Sequence, residues 1–198
     1  MLGPDEYFEH PLAKPSTEEY GPDLTFLEIV PGSKLQSICA ISSVWSLDRD
    51  HNELLNTFGS TGALLATIGF PEVECDTKIT GNDIHRTAMH KTFINAIEDK
   101  SLHSKDGWDY IDVICDYAGT PSLPHKFGGV SGGGIWSMVL RTHSDGHRSI
   151  EDSALVGVTF YQGEYVNQSR ILRGHFIRSI YDEAWRNWGP SLLTALAP

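Results

Sequence analysis

The residues best suited to chemistry surround Ser131, in the glycine-rich run Phe127–Trp136 (FGGVSGGGIW). A serine hydroxyl becomes a nucleophile when a base takes its proton and nearby N–H groups stabilise the oxyanion that forms. Two glycines precede Val130 and three follow Ser131, so the chain can turn tightly there and leave its amides uncrowded. The run predicts a nucleophile loop, with the amides of Gly129 and Ser131 as oxyanion donors.

Taken alone, the same run is equally typical of a glycine-rich turn that holds an incidental serine. A Gly-x-Ser-x-Gly nucleophile elbow is followed by a helix, whereas Ile135–Leu140 predicts a strand. A phosphate-binding loop has a Lys-Ser/Thr pair and a helix after its glycines, and this sequence has neither. The nucleophile loop and the incidental turn therefore remain the two interpretations.

The elements that must position this loop are mostly strands. Short apolar or alternating segments between Gly and Pro turns predict strands at 23–30, 62–71, 109–115, 134–140, 153–162 and 171–175. Apolar spacing predicts helices at about 92–99 and at 176–188, and leaves 38–41 open between strand and helix. Residues 1–22 predict an irregular segment, 143–152 a polar loop, and 23–198 one domain. Many short strands with a terminal helix are typical of an all-β barrel architecture.

Three segments around the loop carry a resemblance to a known family. Asp23–Leu27 (DLTFL) and Thr67–Pro71 (TIGFP) precede Ser131, and Leu155–Tyr161 (LVGVTFY) follows it. They resemble, in order, the aspartate segment, the turn that opens the second barrel and the cleft-lining strand of trypsin-like, chymotrypsin-fold serine peptidases. The resemblance spans about residues 20–182 and is strongest to bacterial peptidase domains.

This resemblance implies a trypsin-like double β-barrel, of which the chain holds the second barrel and the end of the first, with a C-terminal helix. It also implies a serine endopeptidase that cleaves a peptide or protein substrate by acyl transfer and needs no cofactor or metal. Ser131 would be the nucleophile, and Asp23 would orient the catalytic histidine. The substrate cleft would lie between the segment before Ser131 and the strand across from it, at His125, Lys126, Phe160, Tyr161 and Gln162.

Two departures from the family pattern matter. Val130 stands where the family often has Asp or Asn, so packing must hold the loop instead. The family's histidine precedes its aspartate, but only His10 precedes Asp23, in an unlike context. We consider three explanations: an upstream segment or domain that supplies the histidine, a catalytically inactive relative that binds peptides or acts as a scaffold, or service by His10 or His175. An unrelated β-rich domain with a chance glycine loop is a further alternative.

Composition excludes several classes of function. Lys and Arg number 15 against 26 Asp and Glu, a formal charge of −11, which disfavours nucleic acid as a partner. No apolar run approaches the ~18 residues of a membrane span. Three widely spaced cysteines predict buried thiols in a reducing cytoplasm rather than disulfides.

The remaining histidine and aspartate clusters predict no metal site. His85 and His90 are five residues apart, whereas a zinc-protease helix needs four. The turn between His143 and His147 predicts a solvated hairpin. The aspartates between 106 and 116 alternate with apolar residues, which predicts that they lie on the exposed face and at the ends of a strand.

Overall fold

A computed structural model of the chain provides its fold. It describes residues 7–11, 20, 23–29, 32, 36, 40, 45–48, 50–60, 62–72, 75–80, 83–88, 91–96, 100–118, 124, 126–187 and 189. Most regular structure in this part is β-strand, as the sequence predicts. Among the described residues, no helix is long and apolar enough to cross a membrane.

Eleven strands and two helices make up the described secondary structure. The strands are β1 Tyr7–Pro11, β2 Thr25–Ile29, β3 Ala63–Gly69, β4 Cys75–Thr80, β5 Asp83–Ala88, β6 Lys91–Ala96, β7 Lys100–Lys105, β8 Trp108–Asp116, β9 Gly134–Thr142, β10 Arg148–Gln162 and β11 Ser169–His175. Helix α1 spans His51–Gly59, and a helix of π geometry spans Arg178–Arg186.

Seven of these strands form one antiparallel sheet in the order β6-β3-β9-β10-β11-β8-β7. Its two edge strands, β6 and β7, are consecutive in the chain and separated only by residues 97–99. The four steps from Ala96 to Lys100 span at most about 14 Å when extended. The sheet therefore curls until its two edges approach each other at that point.

The core fills the inner face of this curled sheet. Leu65, Ile111 and Ile135, each from a different strand, are fully buried together with Leu54 of α1 and Ile177 before the π-helix. The alternation of side chains along a strand directs these residues to one face. One hydrophobic cluster thus joins the sheet and both helices.

Hydrogen bonds fix the two helix starts. The Asn52 amide donates to the Asp50 carboxylate at 2.6 Å, which caps α1. The Asp109 carboxylate accepts from the amides of Arg178 and Ser179 at 3.0 and 2.6 Å, so β8 holds the beginning of the π-helix. The helix predicted at 176–188 is present with shorter bounds.

Strands β1 and β2 form a separate two-stranded antiparallel sheet, with His10 opposite Phe26. The expectation that residues 1–22 are irregular is therefore wrong for Tyr7–Pro11. Tyr20, which lies between these two strands in the chain, contacts the larger sheet, with its ring centroid 4.2 Å from the guanidinium carbon of Arg173 on β11. The edge of the Trp185 ring also meets the Phe26 ring, with centroids 6.0 Å apart.

Three other predictions need correction. Residues 92–96 of the helix predicted at 92–99 form a strand instead, because Lys91–Ala96 pairs with β3, and residues 97–99 are outside the described residues. The hairpin loop predicted for 143–152 is shorter, since β10 begins at Arg148. Asp112 is buried rather than exposed, because its carboxylate receives two hydrogen bonds from the Arg173 guanidinium at 2.7 and 2.8 Å.

Replacing Ile135 by alanine is expected to lower the free energy of unfolding by about 2–5 kcal/mol, because it leaves a cavity in the core. The matched control is Ile150→Ala, whose side chain is 58 % exposed and whose loss should cost less than about 0.5 kcal/mol. Urea unfolding followed by tryptophan fluorescence measures both. Equal losses would contradict the placement of Ile135 in the core.

Candidate functional site

The Ser131 loop is a tight turn that only glycine allows at two points. Gly129 and Gly132 have φ angles of +86° and +82°, a region that disfavours side chains. A side chain at Gly129 would also collide with the carbonyl oxygen of Phe70. The turn leaves the Ser131 side chain exposed to solvent.

Val130 anchors the loop. It is 1 % exposed and packs in a buried cluster with Cys115, Tyr117, Phe127 and Leu172. Burial raises the pKa of the Cys115 thiol to about 12, so this cysteine is a neutral packing group beneath the loop. Packing thus holds the loop at the position where the family often has a polar residue.

Thr159 on β10 ties the loop to the sheet from the other side. Its hydroxyl donates to the carbonyl oxygen of Val130 at 2.7 Å, and its carbonyl oxygen accepts from the Gly132 amide at 2.7 Å. Its own amide donates to the Gly133 carbonyl oxygen at 2.9 Å. One buried threonine therefore fixes the backbone on both sides of Ser131.

These bonds leave the two predicted oxyanion donors unoccupied. The amides of Val130, Gly132 and Gly133 donate to carbonyl oxygens. Within the described part of the chain, the amides of Gly129 and Ser131 have no such acceptor. A pair of uncommitted N–H groups beside a serine is the arrangement that oxyanion stabilisation needs.

Ser131 and Asp23 line the same open cavity of about 550 Å³. Its other described walls are mostly apolar and come from β2, β10 and the π-helix; they include Phe26, Leu155 and Ile180. Glu9 of β1 also faces it. The structure therefore brings the predicted nucleophile and the predicted orienting carboxylate, 108 positions apart in the chain, to one cleft.

The backbone of Asp23 is held by His175. The Asp23 amide donates to Nε2 of His175 at 3.1 Å. The His175 ring is fully buried and stacks on Phe160, with ring centroids 4.7 Å apart. A buried imidazole on β11 thus fixes the segment that carries Asp23.

A smaller cavity of about 150 Å³ lies on the other side of Ser131. Gly128–Ser131 forms one wall, Thr159–Gln162 forms the opposite wall, and Leu172 closes it. Three of the predicted cleft residues, Phe160, Tyr161 and Gln162, are therefore beside the predicted nucleophile. Lys126 is exposed and lines neither cavity, and His125 is outside the described residues.

The two candidate histidines are not placed to serve Ser131. His10 contacts the Glu28 carboxylate at 2.8 Å, and His175 is buried against Asp23 and three aromatic rings. No histidine in the described ranges lines either cavity. The same ranges contain no group of three His, Cys, Asp or Glu side chains able to hold a metal.

The sequence does not predict a site role for Thr159, and it predicts His175 only as a candidate base. Thr159 is the one aliphatic hydroxyl residue in the run Leu155–Tyr161, which could have marked it. Its role depends on pairing with a loop 28 positions upstream, counted to Ser131, which no local pattern shows. His175 was considered only as a base, whereas it supports the Asp23 segment.

Comparison with known proteins gives no match: no family model, no curated protein and no solved structure is significantly similar to the chain.

Alanine at Gly129 should destabilise the protein more than alanine at Gly132. Both positions carry the cost of a left-handed conformation, about 1–2 kcal/mol. A side chain at Gly129 would also meet Phe70 and the Glu72 amide, whereas one at Gly132 would meet open space. Urea unfolding of the two variants measures the difference. Losses equal within error would show that the loop does not pack against Phe70 as described.

Proposed function

We propose that this chain is a serine endopeptidase-like protein of the trypsin-like family, with Ser131 as its nucleophile. The observation that supports this most is the shared cavity of Ser131 and Asp23, combined with the uncommitted amides of Gly129 and Ser131. An incidental serine in a chance turn would need neither of these two features. The curled seven-stranded sheet, whose edges are consecutive in the chain, also supports the second barrel that the resemblance implies.

In the proposed mechanism, a base removes the Ser131 proton while the serine oxygen attacks a substrate carbonyl carbon. The resulting oxyanion receives hydrogen bonds from the Gly129 and Ser131 amides. The intermediate collapses to an acyl ester on Ser131, and the amine leaves with the proton that the base held. A water molecule then hydrolyses the ester by the same steps and frees Ser131.

The base in this scheme is a histidine from outside the described residues, which Asp23 would orient. The 550 Å³ cavity provides the space for its ring between Asp23 and Ser131. The resemblance implies that this histidine precedes Asp23, and an upstream segment or domain is one source that would supply it. The substrate side chain would enter the 150 Å³ cavity between Gly128–Ser131 and Thr159–Gln162.

The second candidate is a peptide-binding or scaffold module without turnover. It is favoured by one observation, the lack of a described histidine at either cavity. Both candidates use the same cleft, and they differ in whether Ser131 reacts.

A fluorophosphonate probe is expected to label the protein at Ser131 and not to label Ser131→Ala. Ser144→Ala is the matched control, because Ser144 is an exposed serine in the β9–β10 turn, and it should label like the parent protein. The labelling rate should rise with pH through about 6.5, since only the neutral imidazole accepts a proton. Mass spectrometry identifies the labelled residue.

Labelling that persists in Ser131→Ala would sink the assignment of the nucleophile. A complete lack of labelling in the intact, folded protein would favour the binding module over the enzyme. A rate that does not change between pH 5 and pH 8 would exclude a histidine base.

A further inference from the structure

Arg170 extends the buried face beneath the Ser131 loop. It lies directly opposite Cys115 in the β8–β11 pair, and it shares a strand face with Leu172 because side chains alternate. Cys115 and Leu172 both belong to the cluster that packs under Val130. The positive charge of Arg170 opposes the burial-induced rise in the pKa values of Cys115 and Tyr117, so its guanidinium lies near both groups.

Among the described residues, this guanidinium has no carboxylate partner and makes one hydrogen bond, from an Nη atom to the Gln162 side-chain oxygen at 3.4 Å. Its Nε is buried and has no acceptor, and none of the described carboxylates lies within ion-pair distance. Arg173 on the same strand shows the contrast, because the Asp112 carboxylate binds two of its nitrogens.

Gln162 connects this charge to the cavity beside Ser131. Its side-chain oxygen accepts from the Phe127 amide at 2.8 Å as well as from Arg170. Gln162 and Tyr161 line the 150 Å³ cavity. Arg170 lines a third cavity, of about 360 Å³, which Tyr161 also borders. Glu164 lines this cavity too, without forming an ion pair to Arg170. The guanidinium is thus one side chain away from the space next to the nucleophile.

We infer that Arg170 makes the cavity beside Ser131 a subsite for an acidic side chain, so that the recognised peptide carries Glu or Asp there. Apolar walls at Val130 and Leu172 suit the methylene groups of such a side chain. The carboxylate of that side chain takes the place of the Gln162 oxygen and accepts a hydrogen bond from the Arg170 guanidinium. The cavity has the volume of about five water molecules, which is enough for a glutamate side chain.

Other side chains fit less well. A lysine or arginine would meet the Arg170 charge with no described carboxylate in the cavity wall to balance it. An apolar side chain would offer no acceptor to the Arg170 guanidinium and would gain nothing from its charge. The position of the cleaved bond relative to this side chain rests on the proposed function, but the binding of the acidic side chain does not.

The test compares two peptides, acetyl-Ala-Ala-Ala-Glu-Ala-amide and its glutamine counterpart, by calorimetry on the intact Ser131→Ala protein, which cannot turn them over. The glutamate peptide should bind about tenfold or more tightly, as expected for a charge-assisted hydrogen bond. Adding Arg170→Gln should abolish the difference. Adding Arg148→Gln instead, which removes one charge at an exposed site, should leave it intact.

Equal affinities for the two peptides, a preference that survives Arg170→Gln, or no binding of the glutamate peptide at millimolar concentration would each overturn the subsite. Arg170→Lys is the second variant if Arg170→Gln fails to fold, and it should weaken the preference because it lacks the Nε group. Fluorophosphonate labelling reports on the proposed function separately. A preference without labelling would keep the subsite in a binding module, and labelling without a preference would keep the enzyme and remove the subsite.

Discussion

The site depends on the burial of one aliphatic side chain, Val130, next to the residue that would react. A Cβ placed at Gly69 would come within 2.8 Å of the Val130 side chain, so the absence of a side chain at the end of β3 is what makes room for it. Because Val130 points into the cluster and the turn is tight, Ser131 must point out. Nonpolar packing thus sets the direction of a polar, exposed group.

A second constraint comes from contacts that the β1–β2 region makes with the large sheet and with the π-helix. Tyr20 lies over Arg173, the Asp23 amide bonds to His175, and Phe26 meets Trp185. All three contacts join the β1–β2 region to β11 or to the π-helix that follows it. Strand β11 therefore supports the carboxylate segment as well as the core, and its buried polar residues each have a positioning role.

The sequence predicted secondary structure correctly where the pattern of residues lies within one segment. Strands β3, β8, β9, β10 and β11 have dense apolar patterns, and the glycine run around Ser131 predicts a tight turn. Strands β1 and β7 were not predicted, and the bounds of β4 and β5 were left open. Strands β4, β5 and β7 are short and mostly polar, so their apolar periodicity is weak. The helix predicted at 92–99 failed because pairing with β3 outweighs the weak helical spacing of Phe93 and Ile97.

The chemistry of the site divides in the same way. Ser131 and Gly129 could be proposed from residue types in one short run, whereas Asp23 could be proposed only through the resemblance. The contribution of Thr159, His175 and Arg170 arises from strand register, which joins positions that are far apart in sequence. The prediction for Asp112 was wrong for that reason. The alternation of aspartates with apolar residues predicts an exposed side chain, and only the pairing of β8 with β11 brings Arg173 to it.

The order of strands in the large sheet has a consequence for how the chain folds. Strand β3 pairs with β9 across about seventy positions, and β8 must wait for β11, which follows all the other described strands in the chain. Such long-range pairing makes folding slow. Until β11 arrives, β8 carries an unpaired edge that can attract other strands. The loop around Ser131 waits for β10, because the hydrogen bonds that Thr159 makes to it form only when that strand joins the sheet. The loop therefore takes its described shape only after β10 has been synthesised.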